Sequence, residues 1–362
     1  MKRGFLRPAA CAWLAAAGAL VLAAGAQAAP RPQYHLAHEV KLPGDDGWDY
    51  LTFEQGGHRL FIAHGNQVQV VDTERLTPAG TIPDTPGVHG TALAPDLGRG
   101  YISAGRTNTI VVFDLKTLGR LKEIKTTGEN PDAIVYDEPS HRVFSFNGRG
   151  RNATAVDAKT DAVVGTIALD AKPEFAVSDG KGHVYVNLED KNSIAVIDPQ
   201  QLKVSAVWPI AGCEEPSALA LDVAGKRLFA GCDNKVMAVV DATSGRVLGT
   251  APIGEGVDAA KYDPGVGLAF ASCGEGVLTA VDVKSSGAPE VAQSLTTQRG
   301  ARTMALDERT HRIYTVTADF GAPPPATPER PHPRPAILPG TFRMLVIEPT
   351  GMAMKRAAGA QP

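Results

Sequence analysis

The sequence predicts an all-β chain folded as a seven-bladed β-propeller, closed by an N-terminal strand that completes the last blade. Three observations carry this. Short Val/Ile-rich runs ending in an acid recur at Asp72, Asp114, Asp157, Asp198, Asp241, Asp282 and Glu348. Their spacings are 42, 43, 41, 43, 41 and 66 residues. A period near 42 with several short strands per unit marks propeller blades, whereas helical solenoids need 3.6-residue amphipathic patterns that are missing here.

Within each unit the strand cues keep one order. An inner strand such as Ala133 to Tyr136 leads through a Gly- or Asp-containing turn to a second strand opening with an aromatic residue: Phe61, Tyr101, Phe144, Tyr185, Phe229, Phe270 or Tyr314. The Val/Ile run follows as the third strand, and a stretch such as Val163 to Ala168 forms the outer one. The Asp that ends the run is followed by Thr, Ser or Lys. That pattern suits a carboxylate bonding back to turn backbone, so these acids read as structural. After Glu348 only residues 349–362 remain, and the seventh blade lacks an outer strand. His38 to Gly44 matches the outer-strand segment Leu121 to Gly128 with one gap, so the N-terminus is expected to close the ring and remove an exposed edge.

The chain starts with Lys2, Arg3 and Arg7, runs uncharged from Ala9 to Ala26 and reaches Ala26-Gln27-Ala28. This reads as a secretory signal peptide over residues 1–28, giving a periplasmic or secreted protein with no stable membrane insertion after cleavage. Removing it leaves 33 basic against 39 acidic side chains, a formal charge of −6. Extended nucleic-acid binding needs a concentrated basic face and is not expected. Residues 29–350 form one propeller domain, with residues 351–362 as a short tail. Of the four cysteines, Cys11 belongs to the leader. Cys213 and Cys232 flank one hairpin and are expected to pair, leaving Cys273 as a buried thiol.

Tyr185-Val186-Asn187, Tyr101-Ile102-Ser103 and the Pro-x-Ala or Pro-x-Phe starts at Pro131 and Pro173 resemble the YVTN-type repeats of bacterial YncE-like proteins over roughly residues 34–350. The resemblance implies a propeller and an exported protein. It carries over no catalytic residues.

A propeller places the loops entering its inner strands at one mouth of the central channel. Counting five residues back from each inner-strand end gives Asp49, His89, Asp132, Glu174, Ser217, Asp258 and Arg302. Four acids among seven exceed the 39 in 362 of the whole chain, and would concentrate negative potential in a funnel. The ends of the second strands add His64, Arg106, Asn147, Arg149 and Glu189, with Glu215 beside Ser217. This rim is read either as a hydrated, salt-bridged mouth or as a ligand site. His64, His89, Asp49 and Asp132 would suit a divalent ion such as zinc, manganese or iron(II). The long last interval places a Pro-rich insertion at about residues 320–341, with Arg330, His332 and Arg334, as a lid or a surface loop on the same mouth.

Three functions follow from this. The leading one is a binding protein whose funnel takes a metal ion or a small polar ligand, with Arg302 orienting a ligand carboxylate. The second is a metal-dependent hydrolase or lactonase with His89 as general base. The third is a scaffold that binds an envelope protein and has an inert funnel. No HExxH, paired CxxC, GxSxG or P-loop motif is present.

Overall fold

Second and third strands such as Arg59–His64 and Gln67–Asp72 are buried almost end to end, whereas the outer strand Lys203–Pro209 alternates exposed and half-buried positions. Continuous burial means both faces of the central strands are covered, and alternation marks an outer strand with one face in water. The computed structural model describes residues 31–283, 288–327 and 335–351, besides residues 1 and 4. The leader, Cys11, the insertion tip at 328–334 and the tail at 352–362 lie outside the described residues. The chain divides into Met1–Arg31 and Pro32–Pro362, and the sheets belong to the second unit.

That unit holds seven four-stranded antiparallel sheets. The inner strands are Trp48–Phe53, Val88–Ala94, Pro131–Asp137, Pro173–Ser178, Pro216–Asp222, Val257–Asp263 and Met304–Asp307, heading blades 1 to 7 in that order. Each lies against the next, and that of blade 7 lies against that of blade 1, so the ring closes. The outer strand of blade 7 is Tyr34–Lys41, paired with Arg343–Pro349. It starts four residues earlier than the sequence match at His38 indicated. Tyr34 explains the extension: its backbone N–H donates to Gln293 Oε1 at 2.7 Å, its carbonyl accepts from Gln293 Nε2 at 2.8 Å, and its ring packs edge-on against Phe270 at 5.0 Å.

Among the described residues the apolar side chains form seven clusters, each centred on one interface between consecutive blades. The seven aromatic residues that open the second strands are all 3% exposed or less and belong to these clusters. Fully burying one such ring is worth roughly 2–3 kcal/mol. Two of the tyrosines also bond to the next blade, Tyr101 Oη to the Ala158 carbonyl at 2.9 Å and Tyr185 Oη to that of Ala242 at 3.0 Å.

Five of the acids ending third strands bond back to the turn backbone as the sequence indicated. Asp72, Asp114, Asp157, Asp198 and Asp241 each accept two backbone N–H bonds from the following turn. Glu348 differs: it pairs with Arg312 at 2.7 Å. Cys213 and Cys232 form a disulfide, and Cys273 is a buried free thiol. Among the described residues no helix is long and apolar enough to cross a membrane.

Candidate functional site

Small polar side chains tie the inner strands to their neighbours. Thr52 Oγ1 donates to the Thr91 carbonyl at 2.7 Å, Ser103 Oγ to that of Asp132 at 2.5 Å, and Ser217 Oγ to that of Val257 at 2.7 Å. Each bond ties one blade to the inner strand of the next. Two of these bonds end at or beside a column residue, Asp132 and Asp258, and hold it at a set height around one channel mouth.

At this mouth His89 Nδ1 lies 2.6 Å from Asp49 Oδ2 and 3.6 Å from Asp132 Oδ1. Ligand atoms of the three residues all lie within 4.8 Å of one another, on blades 1, 2 and 3. The imidazole fits because residue 105 is glycine: a Cβ there would stand 2.7 Å from His89 Nε2. Beyond the triad Lys172 bonds Glu174 Oε1 at 2.5 Å and also Glu189. Arg302 Nε donates to Asp258 Oδ2 at 2.6 Å, and its Nη2 donates to the Trp48 carbonyl at 2.8 Å.

The electrostatics show an excess of negative charge held together by protons. Burial alone would depress the His89 imidazole, but the Asp49 hydrogen bond and the charges of Asp132, Asp49 and Glu174 outweigh it and raise its pKa to about 9. Asp132 is pushed above the carboxylate range by burial, with Asp49 and Asp258 adding to the shift against His89. Burial and then the neighbouring Asp132 push Glu174 up as well, against Lys172. The carboxylates cannot all ionise cheaply at this spacing, so they share protons.

Not every residue of the sequence-derived set converges. His64 is 1% exposed, its ring stacked on Phe342 at 4.3 Å and its Nδ1 3.1 Å from Gln69 Nε2. It stands outside the group formed by Asp49, His89 and Asp132 because it closes the second strand of blade 1 beneath the turn at Gly44. Asn147 is fully buried and donates to Asn152 Oδ1 at 2.6 Å and Thr154 Oγ1 at 3.0 Å, holding its own hairpin. Arg106, Arg149 and Glu215 are exposed. Arg106 reaches Asn66 Oδ1 at 3.4 Å, and the Glu215 backbone N–H donates to Asn192 Oδ1 at 2.9 Å.

The Pro-rich insertion is anchored at this mouth. The Gly321 N–H donates to the Ala336 carbonyl at 2.9 Å and the Leu338 N–H to that of Asp319 at 2.8 Å, a short ladder around the Phe320–Ile337 bridge. Phe320 packs on Trp48 at 6.1 Å, and the Trp48 carbonyl is the Arg302 acceptor.

A feature the repeat register missed forms the floor of the funnel. Tyr50 of blade 1 meets Phe175 of blade 4 edge-to-face at 5.1 Å. The two blades are three steps apart in a seven-membered ring, so this contact crosses the channel. Tyr50 accordingly belongs to the apolar cluster of blades 3 and 4. The signal in the sequence was a large aromatic directly after two of the column acids, Asp49 and Glu174.

No family model and no curated protein sequence matches the chain. Among solved structures 1825 chains match it, a spread too wide to point to a ligand. One is the structure of U3-55K, with a TM-score of 0.70 and 10% sequence identity, covering 85% of this chain and 98% of that one. At that identity the likeness establishes the fold, a seven-bladed β-propeller.

Proposed function

We propose that this is an exported YVTN-repeat propeller of the YncE-like kind, whose funnel binds a divalent transition-metal ion through His89, Asp49 and Asp132. The observation that carries the reading is the convergence of one imidazole and two carboxylates, from three blades, within 4.8 Å. An imidazole with two carboxylates suits zinc, manganese or iron(II) better than calcium, which prefers an all-oxygen shell. The raised proton affinities of His89, Asp132 and Glu174 support it further. A site that retains protons near neutral pH to offset crowded carboxylates can exchange them for a cation. An ion held by three side chains keeps coordination positions open for a small polar ligand. Glu174 and Asp258, engaged with Lys172 and Arg302, would set the charge around it.

The test is elemental analysis of the mature protein purified from its export compartment without chelators, with thermal melts across zinc, manganese and iron(II). A stoichiometric metal and a matching rise in melting temperature are expected, both lost in Asp49→Asn and Asp132→Asn. Asp157→Ala, which touches only an outer turn, should keep the response. Absence of both metal and shift in the unmodified protein would overturn the reading.

A further inference from the structure

Below the Tyr50–Phe175 floor the channel opens into a separate cavity of about 460 Å³. None of Asp49, His89, Asp132, Glu174, Asp258 or Arg302 lines it. Its wall mixes polar and apolar groups in nearly equal measure, and Tyr50, Phe175, Tyr136 and Tyr262 supply rings. Into it projects one amine, that of Lys261 on the inner strand of blade 6, with Nζ 5.0 Å from the centre of the Phe175 ring. Among the described residues Lys261 makes no hydrogen bond and no ion pair. The other charged groups of the wall are Glu54, bound through both oxygens to Arg59 at 2.6 and 2.7 Å, and Glu308.

A half-buried lysine with no hydrogen-bond or ion-pair partner is costly as an ammonium. Burial pushes its pKa down to about 8, with Glu308 opposing the shift. A lysine held this way is a nucleophile, because an appreciable fraction carries its lone pair near neutral pH. The charge around the chamber selects the partner. Above the floor the acids Asp49, Glu174 and Asp258 are paired with His89, Lys172 and Arg302, and below it Glu54 is paired with Arg59, so neither end offers an anion an unpaired cation and a neutral molecule needs none.

We propose that this chamber is a second site, in which the Lys261 amine condenses reversibly with the carbonyl of a small neutral aldehyde whose apolar body lies against the Tyr50 and Phe175 rings. The nitrogen lone pair forms a C–N bond to the carbonyl carbon as the C–O π bond breaks, and the oxygen takes the proton that nitrogen loses. The carbinolamine then releases water to give the imine. Hydrolysis reverses both steps, and no oxidant or reductant is consumed.

The experiment treats the full chain with benzaldehyde and sodium cyanoborohydride at pH 7.5, and in parallel with formaldehyde, reading adducts by peptide mass spectrometry. Lys261 is expected to label with benzaldehyde at least tenfold faster than the exposed Lys203, and the advantage should shrink toward pH 10. Lys261→Arg keeps a cation in the chamber and should lose the fast adduct while the other lysines label as before. Benzaldehyde labelling of Lys261 no faster than of Lys203 would overturn the proposal. Fast labelling by formaldehyde alone would overturn it too, since the chamber would then have no place for the apolar body.

Discussion

His89 is the cation that allows Asp49 and Asp132 to stand together, and His89→Gln removes it while keeping a side chain of similar length. The imidazole pKa rises from 6.5 to about 9 on folding. At 1.36 kcal/mol per unit this is worth about 3 kcal/mol. Because the folded value lies above the unfolded one, the stabilisation is fully present below pH 6.5 and is lost as pH rises through 9. At pH 7.5 roughly 2 kcal/mol remains. The loss in the variant is smaller than this where Asp132 and Glu174, both already raised, take up the proton that His89 carried. The assay is thermal melting in chelator from pH 5.5 to 9.5. One kcal/mol moves the midpoint of a chain this size by about 2 °C. The variant should therefore melt about 4–6 °C lower at pH 6, with the gap closing by pH 9.5. A gap that is flat across this range, or that widens with pH, would refute the assignment of His89 as a charged partner of these carboxylates.

Three further outcomes are expected. Cys213→Ser with Cys232→Ser opens a loop with a sequence separation of 19 and should cost about 3 kcal/mol, read by denaturant melts; reducing agent should lower the stability of the unmodified protein alone. Tyr34→Ala removes a buried ring from the closing strand and should cost about 3 kcal/mol, with faster proteolysis at the N-terminal strand as the check on ring closure. Arg302→Met removes a positive charge beside Asp258 and makes the funnel more negative, so a divalent ion should bind more tightly than in the unmodified protein, measured by competition with a metal indicator.

The blade count, the strand order and the closure of the ring were legible because each is written as a period, and a repeat states its own register seven times. The position of the acids was legible for the same reason: Asp49, His89, Asp132, Glu174 and Asp258 stand at one mouth because they occupy one place in the repeat. Which of them touch was not legible. His64 and His89 carry similar sequence surroundings, each next to a glycine, yet His64 stacks on Phe342 while His89 points between two carboxylates. The difference lies in partners 278 and 40 residues away, which no local pattern reports. Asn147 looked like a rim group and instead satisfies its own hairpin through Asn152 and Thr154.

The division of the channel follows from departures from the repeat rather than from the repeat itself. The register puts a residue of every blade at the level just below the acids. At blades 2, 3, 5 and 6 these residues are Gly90, Ala133, Ala218 and Ala259, whereas blades 1 and 4 carry Tyr50 and Phe175. Two rings from nearly opposite blades, among small side chains, can meet at 5.1 Å without crowding a neighbour. Had blade 2 or blade 7, the neighbours of blade 1, carried the second ring, the pair would have lain along the wall and left the channel open. The spacing of the two large residues around the ring therefore separates a proton-rich acidic funnel from a ring-lined chamber with one amine. Tyr50→Ala is expected to join the two spaces. Benzaldehyde labelling of Lys261 should slow in that variant, because one of the two rings that hold the aldehyde is gone, and the raised proton affinity of Glu174 and Asp132 should fall as water reaches them from below.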